Sequence, residues 1–153
     1  MMSTDNQRIA LFAGSFDPFT IGHKSIVDRG LEIFDGIVIG VGINQAKKPW
    51  LPVEKRVADI RRLYAGDPRV RVETFTGLTV DAARSFGARF LLRGVRTVAD
   101  FEFERQLADI NRNLSGIESV SIYALPSLAS VSSSMVRELA SYGVDITPYV
   151  PTI

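Results

Sequence analysis

The segment of residues 13–23 brings together residue types that can hold an anion. It follows a candidate buried strand and reads Ala-Gly-Ser-Phe-Asp-Pro-Phe-Thr-Ile-Gly-His. Gly14 allows a ligand to approach the backbone closely, and Ser15 adds a hydroxyl beside exposed amides. Gly22 and His23 are predicted to lie in the first turn of a helix, where free amides and the helix dipole favour negative charge. His23 could there donate a hydrogen bond to a phosphate oxygen.

The same segment also suits a tight turn in which Thr20 caps a helix and His23 lies on the surface. It is neither a Walker A loop nor a G-x-G-x-x-G loop, because the spacing and the lysine are absent. The Gly-Ser-Phe-Asp-Pro context favours the anion site over the plain turn.

Basic residues follow two further candidate strands. Lys47 and Lys48 suit a phosphate, although a pair of lysines in a solvated loop is the common alternative. Arg93 and Arg96 flank a glycine, so two guanidinium groups could face one anion. Glu104 could accept hydrogen bonds from a ribose or an adenine. Ordinary Arg–Glu pairing on an exposed helix is the alternative for this stretch.

Three consecutive serines, Ser132, Ser133 and Ser134, open the last predicted helix. Their hydroxyls and the free amides of the first turn predict a second anion site. Plain N-capping is the alternative, but a cap needs only one serine.

Together these loops predict chemistry by charge neutralisation rather than by proton transfer. The sequence shows no serine–histidine–acid trio, no paired carboxylates and no thiol. Attack by a phosphate on the α-phosphorus of a nucleotide fits this inventory. A phosphate monoester has a second pKa near about 6 and needs no general base at neutral pH.

The elements that must position these loops alternate along the chain. Apolar runs with the composition of buried parallel strands alternate with segments of helical period, which predicts a single α/β domain over residues 1–153. Its five-stranded, doubly wound, Rossmann-like sheet would bind ligands beyond the carboxyl ends of the strands. The predicted strands are 9–13, 37–41, 70–75 (an edge strand), 90–92 and 120–125, and the predicted helical stripes are Val27, Leu31 and Phe34; Val53, Val57, Ile60 and Tyr64; Val80, Ala83 and Phe86; Phe103, Leu107, Ile110 and Leu114; and Met135, Val136, Leu139 and Ala140.

Composition narrows the function classes. The 153 residues are 46% hydrophobic and 23% charged, with a net charge of +1, so neither disorder nor a nucleic-acid partner is expected. No cysteine is present and His23 is the one histidine, which excludes cysteine-ligated or histidine-rich metal sites in one subunit. Residues 1–8 are polar and expected to be flexible. No apolar run approaches the ~20 residues of a membrane span, so a soluble, cytoplasmic protein is expected.

With these residues and motifs, the chain resembles the bacterial phosphopantetheine adenylyltransferases of the nucleotidylyltransferase superfamily. The resemblance extends from about residue 9 to residue 151. It rests on Gly-Ser-Phe-Asp-Pro with Thr-Ile-Gly-His at 20–23, Lys-Lys-Pro at 47–49, Arg-Gly-Val-Arg at 93–96 with Ala-Asp-Phe-Glu at 99–102, and the serine run. The family's activity is transfer of AMP from ATP to 4′-phosphopantetheine, which gives dephospho-coenzyme A and pyrophosphate. Ser15 keeps the hydroxyl of a frequent threonine, and Leu128 stands where several members have tryptophan.

The resemblance also implies roles for single residues. His23 would bind the α-phosphate and stabilise the transition state, and Lys47 would contact the reacting phosphate. Arg93 would bind the phosphate of pantetheine, and Ser15 would lie between the two substrates. The pantetheine arm would be lined by Leu78 and Thr79, and ATP would be held by Ser15, Phe16, His23, Gly94, Val95, Arg96, Glu104, Leu128, Ala129, Ser130, Val131, Ser132, Ser133 and Ser134.

The family further implies Mg²⁺ as cofactor, a homohexamer, and feedback binding of coenzyme A. No Mg²⁺ ligands are evident in the sequence, so the metal is expected to be held by phosphates. Two alternatives stay open. One is a non-catalytic nucleotide-binding module on the same fold, and the other is a related nucleotidylyltransferase with a different phosphorylated acceptor.

Overall fold

Five parallel strands form one sheet in this computed structural model, which describes residues 6–153. The first five residues of the predicted flexible terminus lie outside the described part. The strands are β1 (Ile9–Gly14), β2 (Gly36–Gly42), β3 (Val70–Phe75), β4 (Phe90–Val95) and β5 (Glu118–Tyr123), and they lie in the order β3-β2-β1-β4-β5. The predicted parallel α/β sheet is therefore confirmed, with β3 at an edge.

The last two predicted strands shift at their ends. β4 continues three residues beyond Leu92, so Arg93 lies within the strand rather than in the loop after it. β5 pairs with β4 from Glu118 to Tyr123 and stops before the predicted end at Leu125. Leu125 precedes Pro126, which opens a 3₁₀ turn, and the residue before a proline is restricted to extended conformations outside the pairing register.

The helices cover both faces of the sheet. They are α1 (Ile21–Gly30), α2 (Val53–Leu63), α3 (Thr79–Ser85), α4 (Val98–Ser115) and α5 (Ser133–Ser141). α1 and α2 pack on the face that presents Phe12 and Ile39, whereas α3 packs on the face that presents Leu11 and Val38. Among the described residues, no helix is long and apolar enough to cross a membrane.

Two helical stripes differ from their prediction. α1 ends at Gly30, so Leu31 and Phe34 lie beyond the helix, and Phe34 reaches the core from the following turn. α4 contains the predicted stripe and lies against β4 and β5, but Leu107 is the half-buried member of this stripe and the other three are exposed. Phe103, Ile110 and Leu114 are 62%, 55% and 60% exposed.

The sheet has its switch point at β1. From β1 the chain leads to β2 on one side, and β4 returns to pair with β1 on the other side. The β1–β4 pairing ends at Phe12 and Leu92, so the two strands separate beyond these residues. Arg93 spans the opening, because its Nη1 donates to the carbonyl of Ala13 at 3.0 Å. The opening is where doubly wound folds bind their ligands.

Candidate active site

A cavity of about 310 Å³ lies beyond the separating ends of β1 and β4. It is formed by the loop after β1, the start of α1, the end of β4 and the start of α5. Three of the four sequence segments that are predicted to bind anions therefore line this single cavity. Its predicted lining residues are Ser15, Phe16, His23, Arg93, Gly94, Arg96, Leu128, Val131, Ser132, Ser133 and Ser134.

The fourth segment lines a neighbouring cavity of about 580 Å³. Lys47 and Lys48 lie there, together with Asp17, Arg56 and Arg137. Ser15 lines both cavities, so the two spaces meet at this residue. A ligand in one cavity and a ligand in the other could therefore approach each other beside the Ser15 hydroxyl.

His23 is fixed by a capping box at the start of α1. The Thr20 hydroxyl accepts from the His23 amide at 3.2 Å, and the Thr20 amide donates to His23 Nδ1 at 2.9 Å. The predicted Thr20 cap is therefore confirmed, but His23 is half-buried rather than on the surface, and the cap also orients the imidazole that lines the cavity. Because Nδ1 accepts a hydrogen bond, the proton of the neutral ring lies on Nε2.

The environment of His23 keeps the imidazole neutral. Burial and the positive charge of Arg96 lower the pKa of His23 from 6.5 to about 4. The rings of Phe12, Phe16 and Phe19 surround it, with centroids 5.0 to 6.2 Å from the imidazole. At neutral pH His23 can donate one hydrogen bond from Nε2, but it is not a cation.

Arg93 and Glu104 form a paired unit rather than two free ligands. Arg93 Nε and Nη2 donate to the two carboxylate oxygens of Glu104, each at 2.8 Å. Three of the five N–H groups of Arg93 are thus used, counting the bond to Ala13, and two remain for a ligand. This ion pair matches the Arg–Glu pairing that the sequence analysis gives as the alternative to ligand binding. Glu104 does not line the cavity.

The three serines have three different partners. The Ser132 hydroxyl caps α5 by accepting from the Met135 amide at 3.1 Å. The Ser133 hydroxyl donates to the carbonyl of Pro18 at 2.8 Å. The Ser134 hydroxyl accepts from Arg137 at 3.3 Å. The amides of Ser133 and Ser134 at the start of α5 have no partner within the helix and face an anion favourably.

Six predicted residues lie outside both cavities, Glu104 among them. Val95 is buried, and Ala129 and Ser130 adjoin the first cavity without lining it. Leu78 and Thr79 cap and begin α3, beyond the carboxyl end of β3, so they lie at the correct edge of the sheet but form a separate surface.

Sequence reasoning missed Asp17, Arg56 and Arg137. Asp17 is buried, and its carboxylate accepts from the amides of Trp50 and Leu51, both at 2.8 Å. Arg137 Nη1 donates to the carbonyl of Asp17 at 2.7 Å. Asp17 had a signal, since it belongs to the Gly-Ser-Phe-Asp-Pro motif. The two arginines had none, because each looks like the polar side of an amphipathic helix.

Metal ligands are sparse in this region. Within residues 6–153, no three acidic or histidine side chains are grouped as a metal site would need. Asp17 is the acidic residue of the Lys47 cavity, and both of its oxygens are taken by backbone amides.

Comparisons with known proteins show the family of this chain. The profile of the cytidylyltransferase-like family matches residues 11–139. Proteins named phosphopantetheine adenylyltransferase are 54% identical in Phocaeicola vulgatus and 51% identical in Bacteroides fragilis, each over 94% of this chain and 95% or 96% of the relative. One from Porphyromonas gingivalis is 50% identical over 95% of both chains.

The fold recurs in more distant solved structures. A bifunctional NMN adenylyltransferase/ADP ribose pyrophosphatase from Francisella tularensis superposes with a TM-score of 0.68 at 15% identity. The match covers 94% of this chain and 45% of that one, and at this identity it supports the fold alone. The sequence relatives are far closer and extend over nearly the whole chain. The chain belongs to the family of the phosphopantetheine adenylyltransferases.

Proposed function

We propose that this protein transfers the adenylyl group of ATP to the phosphate of 4′-phosphopantetheine. The observation that carries the proposal is the meeting of two cavities at Ser15, with His23 on one side and Lys47 on the other. One cavity suits the nucleotide and the other is rich in positive charge. The products are dephospho-coenzyme A and pyrophosphate, in the penultimate step of coenzyme A synthesis.

The reaction is an in-line displacement at the α-phosphorus. An oxygen of the acceptor phosphate forms a bond to this phosphorus while the bond to the bridging oxygen of the β-phosphate breaks. The electron pair leaves with pyrophosphate. The acceptor is largely dianionic at neutral pH and already a nucleophile. The site therefore needs to align two anions and to stabilise the charge that develops.

His23 and Arg93 supply neutral and charged donors to that task. His23 Nε2 donates to an α-phosphate oxygen, and its neutral state keeps it from acting as a strong acid. Arg93 directs its two remaining N–H groups to the acceptor phosphate. Lys47 neutralises the reacting phosphate from the second cavity. The α5 amides and Arg96 hold the triphosphate.

The acceptor arm is proposed to run along Leu78 and Thr79. Leu78 is 56% exposed and lies at the carboxyl edge of the sheet. An exposed leucine next to free backbone groups at the start of α3 suits a chain of alternating amide and methylene groups.

Mg²⁺ is proposed as a cofactor that enters with the nucleotide. The described residues offer no carboxylate cage, but a divalent ion that keeps its waters and binds phosphate oxygens needs none. Mg²⁺ would supply charge neutralisation on the triphosphate.

A homohexamer in the cytoplasm, regulated by coenzyme A, completes the proposal. The exposed apolar side chains of α4, of β5 and of the segment after β5 favour self-association, since large exposed apolar patches are rare on monomers. Coenzyme A contains the acceptor arm and an adenine nucleotide, so it can compete for the same cavities. The apolar residues concerned are Phe101, Phe103, Ile110, Leu114, Tyr123 and Leu125.

Pyrophosphate release tests the function directly. The protein is incubated with ATP and Mg²⁺ and either 4′-phosphopantetheine or unphosphorylated pantetheine. We expect pyrophosphate release with 4′-phosphopantetheine but not with unphosphorylated pantetheine. Mass spectrometry should then detect dephospho-coenzyme A. Release with another phosphorylated acceptor only would indicate a related transferase. ATP binding without any turnover would indicate a non-catalytic module.

A further inference from the structure

The turn after β1 has a backbone that other segments hold in place. Phe16 has φ +48°, a conformation that bulky residues rarely adopt. Three carbonyls of this turn are bound from outside it. Arg56 binds the carbonyl of Ser15, Arg137 that of Asp17 and Ser133 that of Pro18. An unfavourable backbone conformation persists where the surroundings fix it in this way, and such positions cluster at functional sites.

Arg56 has the central place among these contacts. It lies on α2 and is 7% exposed. Its Nη1 donates to the carbonyl of Ser15 at 2.6 Å, and its Nε donates to the carbonyl of Leu51 at 3.0 Å. One planar guanidinium therefore connects the Ser15 turn to the loop that carries Lys47.

Asp17 connects the same two segments, but as a hydrogen-bond acceptor rather than a donor. Its carboxylate accepts from the amides of Trp50 and Leu51. It also lies 4.0 Å from Arg56 Nε, so the two buried charges offset each other. Arg56 and Asp17 thus fix the backbone of residues 50–51 against the backbone of residues 15–17. Ser15 of the first segment lines both cavities, and Trp50 of the second segment lines the Lys47 cavity.

We propose that Arg56 is a positioning residue that sets the separation between the Ser15 turn and the Lys47 loop, and that it acts without binding either substrate. The inference rests on the proposed function, because it assumes that the two substrates meet between these loops. A displacement of about 1 Å between reacting groups can cost about a hundredfold in rate. The same displacement changes the affinity for each substrate alone much less, because each substrate is bound mainly by one side of the site.

The test compares Arg56→Lys and Arg56→Met with Arg62→Met. Arg62 lies on the same helix and is exposed, so its substitution controls for loss of an α2 arginine. For each folded variant, kcat and both KM values are measured, and ATP affinity is titrated without acceptor. Trp50 is the only tryptophan in the chain, so its emission reports the Lys47 loop directly.

We expect Arg56→Met to lower kcat at least thirtyfold while the ATP dissociation constant stays within about threefold. The kcat of Arg56→Lys should lie between those of Arg56→Met and the wild type, since an ammonium can reach one of the two carbonyls at a time. The Trp50 emission of the ligand-free protein should shift in Arg56→Met and stay unchanged in Arg62→Met. If Arg56→Met does not fold, Arg56→Lys carries the comparison.

Two results would overturn the proposal. One is an unchanged kcat in a folded Arg56 variant. The other is a rise in acceptor KM at constant kcat, which would make Arg56 a substrate ligand. Wild-type turnover is measured first and separates the two proposals. A wild type without turnover defeats the proposed function, whereas the Trp50 emission still shows whether Arg56 fixes the loop.

Discussion

His23 shows how a single residue can serve both the helix and the reaction. Its Nδ1 accepts a hydrogen bond from the Thr20 amide, which leaves Nε2 as a donor toward the cavity. We predict that His23→Ala lowers kcat by about a hundred- to a thousandfold with a smaller change in the KM for ATP, because the bond strengthens as charge develops. Steady-state kinetics checks this. Normal turnover by the folded variant would remove His23 from the mechanism.

The lowered pKa of His23 also predicts a pH effect on stability. The folded protein holds the imidazole neutral down to about pH 4, whereas the unfolded chain takes up a proton near pH 6.5. Stability is therefore full above pH 6.5 and is lost as the pH falls through this window, by about 3 kcal/mol over the whole window and by about 2 kcal/mol between pH 7.5 and pH 5. Urea unfolding at pH 7.5 and pH 5, at one protein concentration, measures the loss. His23→Gln should lose less over the same interval, and an equal loss would assign the effect to other groups.

The Arg93–Glu104 pair gives a prediction that separates two roles for Glu104. Arg93→Ala should raise the KM for the phosphorylated acceptor. Glu104→Gln should raise the same KM by a smaller factor. The amide oxygen of glutamine still accepts one hydrogen bond from Arg93, but the second of the two hydrogen bonds that hold the guanidinium is lost. Kinetics with each substrate varied in turn measures both effects. A selective rise in the KM for ATP in Glu104→Gln would instead place Glu104 on the nucleotide, as the family resemblance implies.

At the scale of elements, α1 must lie very close to the sheet. A Cβ added at Gly30 would meet Leu92 Cδ2 at 2.7 Å and Ile37 Cδ1 at 2.9 Å, and both side chains are fully buried. We predict that Gly30→Ala lowers the free energy of unfolding by about 1–2 kcal/mol, since overpacking outweighs the better helix propensity of alanine. Thermal unfolding measures the change.

Gly66→Ala is the matched control for this prediction. No atom lies within 4 Å of a Cβ added at Gly66, and its backbone is not left-handed. Its stability should change by less than about 0.5 kcal/mol. Equal losses in the two variants would show that close packing at Gly30 is not the cause.

Local patterns predicted the elements, but not the contacts between them. Thr20 and Ser132 could be identified as caps because a cap bonds residues three positions away. Arg56 could not be assigned, because its bond to Ser15 joins residues 41 positions apart. α1 ends at Gly30 although Leu31 and Phe34 continue its apolar period. Periodicity records burial, and a turn that packs on the core satisfies it as well as a helix does.

The same limit holds for the whole molecule. Parallel strands place all their carboxyl ends at one edge, so the sequence order predicted that the four binding segments would meet there. It did not predict two cavities that meet at Ser15. It also did not predict that Phe103, Ile110 and Leu114 of the α4 stripe are exposed, because a period of 3.6 identifies a face but not its partner.

The exposed α4 stripe gives the last prediction. If the proposed oligomer packs through it, a charge at Leu114 would be buried without a partner, which costs several kcal/mol at each contact. Leu114→Glu should therefore reduce the molar mass measured by light scattering after gel filtration, whereas we expect the wild type to elute as the proposed hexamer. Ile33→Glu is the control, because Ile33 is 49% exposed and lies beyond α1, away from this stripe. A monomeric wild type would contradict the hexamer itself. A hexameric Leu114→Glu protein would place the interface elsewhere.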